Sequence, residues 1–455
     1  MSLVAFFTFP DIGHLNPTFR LAKGLQREGH RVIYLGIRDA ADRIAAEGFE
    51  CITFCEDLLP QGSYHEQLHL SANVSGWRTL LVWRGVAQVM KQVFSRVLEG
   101  ELNSRLLRLK PDLFVFDNLL PQGGVVAHGL GLRPVQLDTN VPWRKERRVP
   151  PHFSPLIPDD GIRTRIASEF YYRRRRAYLR IRAGSGTMFD DFGSVREFAR
   201  KFDFPLEKID FDGAFPSLRV PELVMCPREF VEMGSPYVRG DYHFLEPGID
   251  LGRKEPDFPW EELDPNKELV FCSLGSLPFL WPGYADFFRK VIEATARRKS
   301  TQVVMAVGAH ADPDAFRAPH VVPVRFAPQL KLLERAKVAI IHGGFNTVKE
   351  CIYFGVPMMV FPFATDQPGN AARVVYHGLG TRGDNEAVTV EAIARDLDRL
   401  LLDGPHKEKI RQMSKRFQQA ENASPSVSTL LQLMEGRPQV GSATGPFHGS
   451  SAPVV

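Results

Sequence analysis

The stretch His342-Gly343-Gly344-Phe345-Asn346-Thr347-Val348-Lys349-Glu350 joins a glycine turn, polar groups where a helix would open, and a carboxylate one turn further in. Asp366-Gln367 follows sixteen residues after Glu350. The first N–H groups of a helix lack intrahelical partners and carry the positive end of its dipole, so such a mouth attracts phosphate. Asn346 and Glu350 are spaced i, i+4 and share one helix face. One can meet a phosphate while the other accepts hydrogen bonds from the two hydroxyls of a ribose. The chemistry this pattern suits is the binding of a nucleotide sugar.

A second constellation is split between distant positions. The segment Phe9-Pro10-Asp11-Ile12-Gly13-His14-Leu15-Asn16-Pro17 follows an apolar run, but lacks the G-x-G-x-x-G that a dinucleotide site would show there. It places His14 at the carboxyl end of a strand, with Asn16 and Pro17 as expected N-cap and first helical residue. A helix mouth biases an imidazole toward its neutral form, the form a general base needs. Position alone leaves open whether His14 is a base or a histidine merely hydrogen-bonded at a strand end. Asp117 ends another buried run, Leu113 to Phe116, and would open onto the same sheet edge. A carboxylate there would fix the tautomer of His14 and stabilise its imidazolium; capping the turn into the helix at Gly123 is the competing role. No serine or cysteine nucleophile is evident, which leaves a bound alcohol as the attacking group.

Weaker signals surround these two. Ser276 closes the small-residue turn Phe271-Cys272-Ser273-Leu274-Gly275-Ser276, which could approach phosphate, and Arg325-Phe326-Ala327-Pro328-Gln329 offers an aromatic face for a base. Asp210-Phe211-Asp212 and Asp312-Pro313-Asp314 have the spacing of a divalent-metal site, but neither clearly closes a buried strand, so no metal is expected. Leaving-group charge would then fall to the helix N-terminus, His342 and the hydroxyl of Thr347.

These residues need elements to hold them at strand ends. Short apolar runs alternate with helical periodicity: strands at Leu3–Phe9, Arg31–Gly36, Leu113–Phe116 and Pro134–Leu137, then Leu269–Leu274, Gln302–Val307, Val321–Arg325, Val338–Ile341 and Pro357–Phe361. Helices are expected at Leu15–Glu28, Gly123–Gly129, Ala285–Arg297, Gln329–Arg335, Thr347–Phe354 and Pro368–Tyr376. This order predicts an α/β fold of two Rossmann-like, doubly wound domains with parallel sheets. At 455 residues and 44% hydrophobic content the chain is long enough for two cores. The expected division is residues 1–235, a linker at 236–266 rich in Pro, Gly and acidic residues, a second domain at 267–404, and a helical segment at 405–435 that returns toward the first domain. Residues 436–455 have little to bury and are expected to be disordered.

A formal charge of +4 gives no reason to invoke nucleic acid. Five scattered cysteines show no disulfide or zinc pattern, and the Cys51/Cys55 pair has no second ligand pair, so buried thiols in a reducing cytosol fit best. The apolar N-terminus lacks a basic leader and is too short to span a bilayer. Two regions of the first domain, Gly62 to Gly100 and Trp143 to Arg182, are aromatic or basic and would shape an acceptor pocket. Within the latter, Arg173-Arg174-Arg175-Arg176 flanked by Phe170, Tyr171, Tyr172 and Tyr178 reads either as a solvated helix face or as a surface for peripheral contact with anionic lipid.

Taken together, the residues resemble the UDP-dependent glycosyltransferases of the GT-B fold. Among these the pattern His342 to Val348, Asp366-Gln367-Pro368-Gly369 and Ala371 to Gly378 looks most like bacterial carotenoid glucosyltransferases, and more loosely like macrolide glycosyltransferases. The resemblance implies His14 as catalytic base with Asp117 as its partner. It implies Phe326 where plant relatives stack a tryptophan on uracil, with Gln329 beside it. His342, Gly344, Asn346 and Thr347 would hold the diphosphate, Glu350 the ribose, and Asp366 with Gln367 the sugar hydroxyls. The implied activity is inverting transfer of a hexose, glucose by the presence of Gln367, from a UDP-sugar co-substrate to a hydroxyl of a lipophilic natural product. A dTDP-deoxysugar donor and a non-catalytic natural-product binder are the alternatives within the fold; a dinucleotide oxidoreductase is the alternative outside it.

Overall fold

The structure is a computed structural model that describes residues 1–64, 66–67, 70, 77–146, 149–158, 161–234, 241–276, 278–281 and 283–436. Its strands run in chain order as β1 Leu3–Phe7, β2 Arg31–Gly36, β3 Glu50–Thr53, β4 Leu113–Asp117, β5 Pro134–Asp138, β6 Ile209–Asp210, β7 Ser217–Leu218, β8 Glu222–Val224, β9 Tyr242–Phe244, β10 Glu268–Ser273, β11 Thr301–Ala306, β12 Val321–Val324, β13 Ala336–Ile341, β14 Met358–Val360 and β15 Gly380–Arg382. Two sheets dominate: one of seven strands in the order β3-β2-β1-β4-β5-β8-β9, the other of six in the order β12-β11-β10-β13-β14-β15. Every ladder in both is parallel; the β6–β7 ribbon is the antiparallel exception.

A parallel sheet covered on both faces needs apolar side chains on both sides of every strand, and the packing follows this. In the first sheet Ala5, Phe7, Phe114 and Phe116 join one core, and Val4, Phe6, Leu113 and Val115 join the core on the opposite face. In the second, Leu269 and Phe271 point one way while Val270 and Cys272 point the other. The core on the Leu269 side does not stop at the sheet, because it also takes Val141, Val224, Phe230 and Tyr242 from the first half of the chain. The two halves are thus joined by apolar packing as well as by the chain itself.

Helix boundaries differ from expectation mainly at their starts. The first helix runs Ile12–Arg27, with Asp11 as N-cap and Pro17 inside it. The expected cap at Asn16 is therefore corrected: the Asp11 carboxylate captures the Gly13 N–H at 2.8 Å and nucleates the helix five residues earlier. Cys51 and Cys55 are free thiols, and burial pushes each up to about 12. Strand β9 falls inside the stretch expected to be linker and extends the first sheet to Phe244. At the C-terminus the Pro405–Ala423 helix packs on Phe345–Tyr353 of the second half, and Pro425–Glu435 then crosses to the first helix. There the Arg133 guanidinium donates to the Leu433 carbonyl at 3.3 Å, and Leu430 enters the core with Leu15 and Phe19. Of the Gly62–Gly100 region, the helix Trp77–Glu99 is described and residues 65, 68–69 and 71–76 lie outside the described residues, as do 437–455. No helix among the described residues is long and apolar enough to cross a membrane.

One glycine shows how tightly a helix lies on its sheet. In Pro121–Gly129, a Cβ on Gly124 would stand 2.5 Å from the Phe116 ring and 2.8 Å from Leu218. Gly85, in the middle of Trp77–Glu99, has nothing within 4 Å of its Cβ position. The same substitution should therefore act in opposite directions. Gly124→Ala overpacks the core and is expected to cost about 1–3 kcal/mol, whereas Gly85→Ala relieves the unfolded chain's excess freedom and should stabilise by about 0.4–1 kcal/mol. Denaturant midpoints of the two variants, measured side by side, check both signs.

Candidate active site

In a doubly wound sheet the crevice forms outside the carboxyl ends of the strands where the strand order reverses. The residues singled out in the sequence gather at these ends. β1 leads into His14, β4 ends on Asp117 and β5 is followed by Thr139; β10 leads into Ser276, β12 into Phe326, β13 into His342 and β14 toward Asp366.

His14 lies in the first turn of the Ile12–Arg27 helix. Its Nδ1 sits 2.8 Å from Oδ2 of the fully buried Asp117 and 3.1 Å from the Thr139 hydroxyl. The other Asp117 oxygen accepts the Leu119 N–H at 2.9 Å, so the carboxylate fills both roles the sequence left open, partner of His14 and cap of the following turn. With Nδ1 engaged, Nε2 is the nitrogen left for other chemistry. Burial of His14 acts to lower its pKa, but the charge and hydrogen bond of Asp117, helped by Asp11 and Asp366, outweigh it and the pKa is raised. The expected bias toward the neutral form is thus corrected: a carboxylate in contact is stronger than a helix dipole at this position.

The helix Phe345–Tyr353 starts beside this pair. Gly343 takes a φ of +90°, and a Cβ on Gly344, the N-cap, would stand 2.5 Å from Nε2 of His342; the turn requires glycine at both positions. Burial holds His342 down to about 4, so it is a neutral donor or acceptor, and its Nδ1 has no hydrogen-bond partner among the described residues. Asn346 has one amide hydrogen already engaged: Nδ2 donates to the Gly13 carbonyl at 2.6 Å, which leaves its second hydrogen and Oδ1. That carbonyl would ordinarily accept from residue 17, but Pro17 has no N–H to give. Thr347 lies one residue on, half-buried, with the Gln329 amide 3.4 Å from its hydroxyl.

Glu350 is nearly fully buried. One oxygen takes the Arg253 guanidinium at 2.6 Å and the other accepts from Gln329. Gln329 therefore belongs with the Glu350 carboxylate, while Phe326 stands 53% exposed with a bare ring at the end of β12. Ser276 is exposed on its loop. Asp366 accepts from the Thr365 hydroxyl at 2.9 Å and from Asn370 at 2.8 Å, and Asn370 also donates to the Gly343 carbonyl at 2.9 Å. Burial raises the Asp366 pKa, and the charge of His14 works against that, which puts the two within electrostatic reach across the cleft. Gln367 uses its side-chain oxygen on the N–H groups of Phe363 and Ala364 at 2.9 and 3.2 Å. Its amide nitrogen takes no part in these two bonds.

The two DxD triplets act as turn caps: Asp210 accepts the Asp212 N–H at 2.8 Å and Asp312 the Asp314 N–H at 3.2 Å. Among the described residues no three His, Cys, Asp or Glu side chains are grouped to hold a metal ion. The Arg173–Arg176 run is divided as well, since Arg173 pairs with Glu169 at 2.9 Å, Arg176 donates to the Asp212 carbonyl and Arg175 turns among aromatic rings. Sequence reasoning missed Thr139, Arg253 and Asn370. Thr139 carried a signal, as the first hydroxyl after a buried strand ending at the same edge as Asp117; Arg253, in a segment without periodicity, carried none.

Comparison with known proteins places the chain in a family. The family model described as "UDP-glucoronosyl and UDP-glucosyl transferase" matches residues 266–421, the half that holds the glycine turn and Glu350. The zeaxanthin glucosyltransferase of Pantoea ananas is 26% identical over 95% of this chain and 96% of its own length. The uncharacterized UDP-glucosyltransferase YdhE of Bacillus subtilis (strain 168) is 30% identical over 95% of this chain and 99% of its own. Among solved structures, the calicheamicin glycosyltransferase CalG4 superposes with a TM-score of 0.66 at 20% identity, covering 96% of this chain and 99% of that one, which shows a shared fold. The chain belongs to the UDP-glucuronosyl and UDP-glucosyl transferase family and is a glycosyltransferase of GT-B fold.

Proposed function

We propose that this glycosyltransferase moves a hexose, glucose on the reading of Asp366 and Gln367, from a UDP-sugar to a hydroxyl of a lipophilic natural product, with inversion at the anomeric carbon. The observation that carries the reading is the buried His14–Asp117 pair, 2.8 Å apart, one residue from the Gly13 carbonyl that Asn346 of the glycine-turn helix holds. Nε2 of His14 takes the acceptor's hydroxyl proton as its oxygen bonds to the anomeric carbon. The bond from that carbon to the diphosphate breaks on the opposite face, and UDP leaves with the electron pair. Asp117 stabilises the imidazolium that results. The charge that develops on the diphosphate meets the first N–H groups of Phe345–Tyr353, His342 and the Thr347 hydroxyl. No metal takes part in this scheme.

Glu350 supports a donor with both ribose hydroxyls. One of its oxygens is engaged by Arg253 and the other by Gln329, and each retains a lone pair beyond the bond already made. The half-exposed ring of Phe326 offers a face for uracil. A lipophilic acceptor is supported by the similarity to an enzyme whose name specifies zeaxanthin, and by the aromatic lining of the first domain around Trp143, Phe153 and Phe215.

His14→Ala should lower turnover of UDP-glucose with a lipophilic alcohol by about 10²–10⁴-fold, while calorimetry finds UDP bound as in the parent; undiminished turnover sinks the assignment of the base. The base works only when deprotonated, so activity should rise with pH through a pKa above the ordinary 6.5 of histidine. Asp117→Asn removes the main raising influence and should move that acid limb to lower pH as well as reduce the plateau; a limb that stays in place in a pH–rate profile contradicts the pairing. Glu350→Ala should weaken UDP by about tenfold or more, the worth of a hydrogen bond to a charged group, with acceptor affinity unaltered by the same calorimetric measure.

A further inference from the structure

Among the described residues no acidic partner meets the Arg175 side chain. Its guanidinium carbon lies 5.3 Å from the centre of the Phe215 ring, 5.7 Å from Tyr178 and 5.9 Å from Phe153. Arg175 lies on the helix Ile162–Gly184, and Glu169 on that helix is already engaged by Lys145, Arg173 and Arg176. No ion pair joins Arg175 to a carboxylate among the described residues, and its Nε is buried without a hydrogen-bond partner. Burial lowers its pKa, with Tyr178 opposing, so the surroundings disfavour the charge without neutralising it.

Two more nitrogens in the same cluster are orphaned. The His152 ring stacks on Trp143 with centroids 4.8 Å apart and an interplanar angle of 7°, Trp143 lies 5.0 Å from Phe215, and His152 lies 5.1 Å from Phe153. His152 is 5% exposed and Trp143 8%, and both Nδ1 of His152 and Nε1 of Trp143 lack a partner among the described residues. A buried donor left unpaired costs about 1–3 kcal/mol, and native structures leave few. The Trp143 Nε1–H and the Arg175 guanidinium are donors, and the neutral His152 ring joins them in the tautomer that carries its proton on Nδ1; two donors, one of them charged, suit an acceptor that is negatively charged. Aromatic faces at Phe153 and Phe215, both only half-buried, provide the apolar walls.

The cluster also borders the cleft. A Cβ on Gly369 would stand 1.9 Å from the His152 carbonyl oxygen, so the loop carrying His152 rests on the helix that begins at Gln367, one turn past Asp366. Trp143 follows Thr139, the hydroxyl on His14, by four residues.

We propose that Arg175, His152 and Trp143 form an anion subsite of the acceptor pocket, and that the acceptor carries a carboxylate on a flat apolar body lying against Phe153 and Phe215. This rests on the reading that the first domain takes the acceptor, and it narrows that acceptor from any lipophilic alcohol to a hydroxylated lipophilic acid. Arg175 supplies a charged donor that an uncharged diol would leave unpaired.

Three hydroxylated aromatic acids, 6-hydroxy-2-naphthoic acid among them, are to be titrated by calorimetry against their methyl esters into the full chain saturated with UDP. Each acid should bind about tenfold or more tightly than its ester, as charge-assisted hydrogen bonds imply. Arg175→Gln should erase the difference, Arg175→Lys should restore part of it, and Trp143→Phe, which keeps the ring and removes one donor, should reduce it. Acids that bind no better than their esters in all three pairs, or no binding by any, overturn the proposal, as does a preference that survives Arg175→Gln. The wild-type comparison decides even where a variant fails to fold. A parallel titration with UDP-glucuronic acid and UDP-glucose separates the other source of a carboxylate: if Arg175→Gln alters only the preference between these donors, the anion belongs to the sugar and the acceptor assignment falls. Because binding is read rather than turnover, the result stands apart from whether lipophilic alcohols are glycosylated.

Discussion

The Gly13 carbonyl is the point on which the cleft turns. Pro17 cannot supply the N–H that an α-helix would place there, so the oxygen is free of its usual bond and accepts from Asn346 at 2.6 Å instead. A helix defect in the first half of the chain thus becomes a docking point for the first turn of a helix in the second. His14 is the next residue, and its partner Asp117 comes from the neighbouring strand, so the same contact sets how the imidazole stands relative to the glycine turn at His342. A Cβ on Gly13 would itself stand 3.1 Å from the Asp11 carboxylate and 4.0 Å from Asn346, which leaves the approach little slack.

Charges buried near this contact are satisfied across it. The Lys349 ammonium, which burial lowers to about 8, donates to the carbonyls of Met225 at 3.1 Å and Pro247 at 2.8 Å. Arg373 donates to Val231 at 3.0 Å, and the His377 ring lies 3.1 Å from the Phe230 carbonyl. Groups on one half therefore find partners in the backbone of the other, and pulling the halves apart would strand buried charge, which is costly. Apolar packing of Phe230 against Phe345 and Phe417 runs alongside. The contact resists separation at this edge, and the carboxyl ends of the two sheets are held facing one another there.

What the sequence made legible was local. The parallel-sheet architecture could be read because each strand is a short apolar run, and the glycine turn could be read because its geometry is specified by adjacent residues. His14 and Asp117 could be paired because both close buried strands and neighbouring strands in this order share an edge. Failures came where a distant partner decides the outcome. Asp11 displaced Asn16 as helix cap, and Asn346 of the second half covers the carbonyl that Pro17 leaves open. The contact of Asn346 with Gly13, 333 residues away, could not be seen from helix position alone. Arg253 was invisible for the same reason, since its meaning is its ion pair with Glu350.

That distinction explains why the donor side is better defined than the acceptor side. The residues proposed for phosphate and ribose lie on one turn and one helix face, so a single stretch of chain carries most of the information. The region proposed for the acceptor is assembled from Trp143, His152, Phe153, Arg175 and Phe215, contributed by separate loops and a helix, none with a motif of its own. Arg173-Arg174-Arg175-Arg176 looked uniform in the sequence because composition cannot tell an outward arginine from an inward one. In the fold, the helical turn sends Arg173 and Arg174 to solvent and Arg175 among the rings, and the charges acquire different meanings. Where the unpartnered nitrogens sit is decided by packing, and only packing reveals it.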